Sequence, residues 1–357
     1  MSKKLKNVFF IVLLVVLVFS LGSFANEQKG KIIFSFSGQE KEIMLEDLKQ
    51  FAEFTINAPT IDSEGKEEIR EATGVYLKDI LASFNKNQKD FNLIRLIAKD
   101  GYQIDVPAEI IQNRELMLAY KLDGKELSEK SAPIRVVIPN ERSMYWARQL
   151  ARVELVEDQT VNKIKQVVFL DNAVNLVVQE DFPYYGETDK AVKTKDLVEH
   201  FVTDISGKIY FKAVDGFEKT EDLEIFNKGS IKFTGKNAPI FLSKELPKGM
   251  YVKDLLWFSC NDTVFFSGEK GFGLFEEKSC DDKTGFSITT LLNEIGVQIN
   301  EKSTFYAADG YKVTLEADDI QKGLLYSRKK DGKLAICFEG LPKETSVKEV
   351  VSIHIGE

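Results

Sequence analysis

Sulfur and imidazole are scarce in this chain: 357 residues carry three cysteines and two histidines, and the first of either type is His200. The amino-terminal half therefore has no thiolate or imidazole set of the kind that holds zinc, and no histidine to activate a serine or cysteine nucleophile. No P-loop, G-x-S-x-G elbow, H-E-x-x-H helix or G-x-G-x-x-G fingerprint occurs, which removes the common phosphate-cradling, hydrolase and zinc-protease readings. Low-complexity tracts and long blocks of like charge are also missing. No apolar run after residue 25 reaches the ~20 residues that cross a bilayer comfortably. Basic excess is lacking too, with a formal charge of -8. Since phosphate binding depends on clustered Lys and Arg, no nucleic-acid partner is expected.

The amino terminus supplies what the body lacks. Lys3, Lys4 and Lys6 precede an apolar stretch from Val8 to Leu21, and Ser23-Phe24-Ala25 closes it with small residues. This is the pattern of a secretory signal peptide over residues 1–25, the alternative being an uncleaved anchor. It predicts an extracytoplasmic protein, secreted, periplasmic or at the cell surface, with no membrane span after cleavage. Removing the segment takes away three positive charges and no negative ones, so the charge moves from -8 to -11. The remainder, within a chain that is 43% hydrophobic and 11% aromatic, has the composition of a globular body. In an oxidising compartment Cys260 and Cys280, which flank SGEKGFGLFEEK, are expected to form a disulfide, two free thiols being the alternative. Cys337, in the apolar run LAICF, reads as a buried strand thiol.

One pattern occurs three times. Asp100-Gly101-Tyr102, Asp215-Gly216-Phe217 and Asp309-Gly310-Tyr311 each follow an apolar run and read as a strand entering a tight turn. Upstream lie the amphipathic stretches GVYLKDILASF from Gly74, AVKTKDLVEHF from Ala191 and GFSITTLLNEIGV from Gly285, read as helices. From Val75, Val192 and Phe286 to the turn Asp is 25, 23 and 23 residues. Downstream, Ala132-Pro133-Ile134 recurs as Ala238-Pro239-Ile240 and Leu334-Ala335-Ile336, which aligns Arg135 with Phe241 and Cys337. Turns 115 and 94 residues apart exclude a solenoid of short repeats.

The expected architecture is α+β, or mixed α/β, in three tandem modules after the signal peptide: 26–158, 164–260 and 263–357. Each is expected to open on a hairpin: KIIFSFSGQEKEIML, followed by a helix from Glu46 to about Phe54; VVFLDNAVNLVV; and TVFFSGEKGFGLF. The linker between the second and third modules is almost absent, so these two are expected to pack closely. Asp181-Phe182-Pro183-Tyr184-Tyr185-Gly186 reads as an aromatic loop, either packed on its own domain or offered as a contact surface.

Residues 74–157, through GVYLKDIL, IAKDGYQIDVPAEII, LMLAYKLDGKELSEKSAPIRVVIP and YWARQLARVELVE, resemble the oxidoreductase molybdopterin-binding domain of sulfite-oxidase-type proteins. The second and third modules are read as degenerate copies. The resemblance implies a sulfite-oxidase-type fold, and a molybdenum held by a pterin dithiolene and one protein cysteine upstream of the GVxLxxLL helix. That region here, residues 55–73, contains no cysteine, and neither Asn57 nor Ser63 replaces a soft thiolate. Arg135 matches a polar family position with its neighbours, and either lines a pocket or projects from a strand into solvent. Tyr145 and Trp146 either cover the same mouth or pack in the core. His200 and His354 read as surface or edge residues.

Three functions fit these features. The leading one is an exported binding module without molybdenum ligation, its ligand an unidentified small molecule or an extracytoplasmic protein, with no cofactor and no metal expected. A molybdopterin-dependent oxidoreductase lacking the usual cysteine is the alternative, and a surface spacer is the third.

Overall fold

The computed structural model describes residues 30–62, 65–157 and 164–356. The signal-peptide segment lies outside them, as does most of the first linker. The chain divides into two compact units, one of residues 1–99 and 107–157, the other of residues 100–106 and 158–357. Among the described residues no helix is long and apolar enough to cross a membrane.

Unit 1 is built on two sheets. Lys31–Phe36 and Gln39–Met44 form the expected opening hairpin, with Ser37 and Gly38 in the turn at φ 48 and 72°. Lys31–Phe36 then lies parallel to the closing strand Leu150–Val156, which pairs with Leu93–Ala98. The second sheet pairs Phe54–Ile61 with Glu67–Tyr76, that strand with Met117–Leu122, and the last with Arg135–Val137. The helix expected from Glu46 is a single 3-10 stretch, Leu45–Gln50, because the chain must be extended again by Phe54. The helix expected from Gly74 begins later, as Leu77–Ser83. Gly74 belongs to the preceding strand, and a Cβ there would lie 2.2 Å from the Leu118 carbonyl oxygen. The same holds at Gly285, where a Cβ would lie 1.9 Å from the Leu325 oxygen and the helix is Ile288–Glu294.

In unit 2 the segments expected as second and third modules share one eight-stranded sheet. Leu255–Cys260 turns through Asn261 and Asp262 directly into Thr263–Phe266, its antiparallel neighbour. A parallel return, as in unit 1, needs a crossover of a dozen or more residues, and two residues allow only a hairpin. The opening strand of the third segment thus sits beside the closing strand of the second. Reciprocally, Gln166–Phe169 pairs with the final strand Val350–Ile355, and the two opening strands meet in parallel at the sheet centre. Asn172 fixes this exchange, donating to the Leu334 and Val350 carbonyls at 3.1 and 2.7 Å. A boundary at 260–263 therefore separates no independent bodies.

The expected openings VVFLDNAVNLVV and TVFFSGEKGFGLF are not hairpins. Each is a strand followed by a helix, Leu170–Ala173 and Gly268–Leu274. Asp171 accepts from the Gly268 and Glu269 amides at 2.7 and 3.0 Å, and Ser267 caps the second helix. Five phenylalanines share one core cluster, with Phe258 and Phe265 stacked 4.6 Å apart and Phe211, Phe226 and Phe241 packed beside them. Each such ring contributes about 1.5–3 kcal/mol by leaving water.

The disulfide expected between Cys260 and Cys280 is not formed, and all three thiols are free and buried. Between the two lies a strand and a helix rather than an open loop. Cys260 ends in one core cluster and Cys280 in another, beside Cys337. Burial pushes the Cys260 thiol up to about 11.

Candidate functional site

The three Asp-Gly turns close identically. Asp100, Asp215 and Asp309 each accept from the amide two residues on at 3.0 Å, and the glycines sit at φ 85, 81 and 87°. Such Asx turns need only local atoms. They shape the strands but hold no catalytic array.

Arg135 is the unusual side chain. It lies on the short strand Arg135–Val137, opposite Ala119, which in turn pairs with Gly74. Its guanidinium stands over the Trp146 ring at 5.6 Å, and is half-buried. Trp146 is 2% exposed and donates from Nε1 to the Ile138 carbonyl at 2.9 Å, so the ring is locked as a platform in a cluster with Ala58, Ala72, Ala119 and Val137. Tyr145 is buried next to it in sequence. The Arg135 Nε is buried with no hydrogen-bond partner among the described residues. Burial pushes this guanidinium down to about 10, Arg148 and Arg70 add to the effect, and Glu68 opposes it. Arg70 is itself satisfied, donating from Nε to Asp123 at 2.7 Å.

A half-buried guanidinium whose Nε lacks a partner, next to two further guanidiniums, is costly in the free protein and favourable once an anion arrives. A planar fork of N–H donors suits phosphate, sulfate or carboxylate oxygens. The arrangement is thus an anion site in its chemistry. Arg70 lies far from Arg135 in sequence, and Arg148, although inside the stretch YWARQLARVELVE, was not singled out.

The register corrects the alignment of Arg135 with Phe241 and Cys337. The Val136 amide donates to Ala147 at 2.8 Å, and in unit 2 the Phe241 amide donates to Val252 at 2.9 Å. The Pro239 carbonyl accepts from Leu255 as the Ile134 carbonyl accepts from Leu150. Phe241 therefore answers to Val136, and Arg135 answers to Ile240, paired with Lys232. In the last segment the matching residue is Ala335, paired with Tyr326. The slip is one residue at Phe241, which exchanges the two faces of the strand, and two at Cys337, which keeps the face.

Lys232 shows the other solution to a buried cation. It is fully buried, donates to Asp189 at 2.8 Å and is further held by the Thr234 carbonyl. His200 follows the helix Thr194–Glu199, and His354 lies in the final strand against the Tyr306 ring. The aromatic stretch read as a loop is the strand Gln179–Tyr184 and its turn, with Tyr185 packed edge-on against Tyr184. Among the described residues no group of three or more His, Cys, Asp and Glu is placed to hold a metal.

Residues 34–164 match the model of the family described as the oxidoreductase molybdopterin binding domain. The match contains the span 74–157 that carries the resemblance in sequence, and with the mixed sheets and helices it bears out the sulfite-oxidase-type reading of that region. Among solved structures, the sulfane dehydrogenase SoxCD from Paracoccus pantotrophus aligns over 67% of this chain and 78% of that chain, at 12% identity and a TM-score of 0.33. No curated protein matches the chain.

Proposed function

We propose that the chain is an exported binding protein whose first unit, on a molybdopterin-domain scaffold, holds an anionic ligand at Arg135 and does not ligate molybdenum through a protein thiolate. The single observation that carries this reading is the buried, unpartnered Nε of Arg135 beside Arg148 and Arg70. Export rests on the sequence of residues 1–25. The three matching Asx turns and the shared register support a common module behind all three segments.

The family match raises the question of fit to a molybdenum cofactor. A pterin phosphate fits Arg135 and its cationic neighbours. The metal does not fit the donors present: residues 26–158 hold no cysteine, and the region upstream of the helix is the hairpin Phe54–Ile61 with Glu67–Tyr76, whose buried side chains include Ala58 and Ala72. Alanine offers no ligand. A second reading, a molybdopterin-dependent oxidoreductase without the usual cysteine, is favoured by the family match alone.

Elemental analysis for molybdenum and tungsten on protein from a host that makes the cofactor, together with melting curves in phosphate and sulfate, separates the two. The expected result is metal-free protein whose melting temperature rises saturably with the oxyanion, and an Arg135→Met variant that folds but loses the rise. Stoichiometric metal moves the assignment to the second reading. An equal response in both proteins removes Arg135 from the site.

A further inference from the structure

Cys280 and Cys337 meet on one face of the five-stranded sheet that runs from Lys278–Cys280 through Lys283–Ser287, Gly323–Ser327 and Leu334–Phe338 to Val347–Lys348. Strand alternation defines the face. Phe286, Leu325 and Ile336 enter the main core, so Leu324 and Cys337, paired across their strands, point to the opposite side. There Cys280 joins them in a small buried cluster with Tyr326 packed against it. The thiols are 4% and 3% exposed, and Cys280 is close enough to act on the Cys337 thiol. Cys260 sits apart, in the core cluster of the second segment.

We propose that Cys280 and Cys337 are the disulfide-forming pair of this protein, joined while it folds in an oxidising compartment. The chemistry is thiol–disulfide exchange with an external disulfide, either a low-molecular-weight one or that of a disulfide oxidoreductase. One protein thiolate attacks the donor disulfide, and the second protein thiolate displaces the donor sulfur. One S–S bond forms in the protein and one breaks in the donor. The two protein thiol protons end on the two donor thiols, and two electrons pass to the donor. Once folded, burial and then the contact with Cys280 hold Cys337 at about 12. Because the thiolate is the nucleophile, closure belongs to folding rather than to the finished protein. The cross-link would tie the edge hairpin of the sheet to its fourth strand, with the gain expected from restricting the unfolded chain.

The test uses the full mature chain, unfolded and refolded with reduced and oxidised glutathione, then alkylated in denaturant and mapped without reduction. The expected product is a linked peptide pair containing Cys280 and Cys337, with Cys260 alkylated. The same link is expected in Cys260→Ser, and a melting temperature higher by roughly 10 °C in the oxidised protein. Three alkylated thiols, a stable mixed disulfide with glutathione, or a link that includes Cys260 overturns the proposal.

Discussion

Units 1 and 2 each place a cation on the same face of matching sheets, with opposite consequences. In unit 1 a row runs Gly74, Ala119, Arg135; in unit 2 it runs Ala191, Lys232, Ile240. The cation has moved by one strand. Two residues before Ala191 stands Asp189, bonded to Lys232; two residues before Gly74 stands Ala72, fully buried and apolar. Unit 2 carries its own anion, whereas in unit 1 the Nε of Arg135 has no partner among the described residues. On the proposed function, the difference between a structural ion pair and a binding site is one carboxylate.

Removing that carboxylate gives the largest expected effect. Asp189→Asn strands Lys232 in the core and is expected to cost ~3–5 kcal/mol, the range for breaking a buried pair, read as a lowered midpoint in urea unfolding of the full chain. Adding the carboxylate to unit 1 is the converse. Ala72→Asp is expected to supply Arg135 with an internal partner and weaken oxyanion binding at least tenfold, about 1.4 kcal/mol, measured by calorimetric titration with phosphate. Retained affinity would falsify the equivalence of Ala72 and Asp189. Arg135→Met removes a guanidinium whose buried Nε has no partner among the described residues, so unfolding free energy in anion-free buffer is expected to rise by about 1 kcal/mol. A fall of similar size would mean that stacking on Trp146 outweighs the buried charge.

The smallest effect concerns Arg70, the satisfied guanidinium beside Arg135. Its hydrogen bond holds the Asp123 carboxyl below the ordinary range. The folded value lies below the unfolded one of about 3.9. The pair therefore stabilises fully above the unfolded value, and the contribution is lost as pH falls through the lower folded value. Asp123 is exposed, so screening limits the contribution to ~0.5 kcal/mol. Asp123→Asn is expected to flatten the acid limb of a stability–pH curve by that amount.

Much of the frame was legible along the chain. The Asp-Gly turns depend on atoms two residues apart, and all three form as the spacing predicts. The opening hairpin of unit 1 follows from alternation and a Ser-Gly turn. The helices after Gly74 and Gly285 were placed too early, because each glycine serves a close approach by a distant strand, which no local pattern reveals. Arg135, Tyr145 and Trp146 were singled out as residues around one pocket mouth, with core packing the alternative for the two aromatics; both aromatics are buried, and the Arg135 guanidinium stands 5.6 Å from the Trp146 ring. Arg70 joins only through sheet pairing, Arg148 lies in the bend between Trp146 and the strand Leu150–Val156, and Phe241 was matched to the wrong residue because proline spacing does not record register.

The sequence alone determined the acidic balance, the segment with the pattern of an export signal, the tripled turns and the absence of any cysteine in residues 26–158, since these depend on composition and on contacts between near neighbours. Tertiary structure decided which opening strand pairs with which closing strand, which thiols meet, and which buried cation has an anion beside it. Those outcomes depend on groups brought together across strands, where a shift of one residue reverses a face.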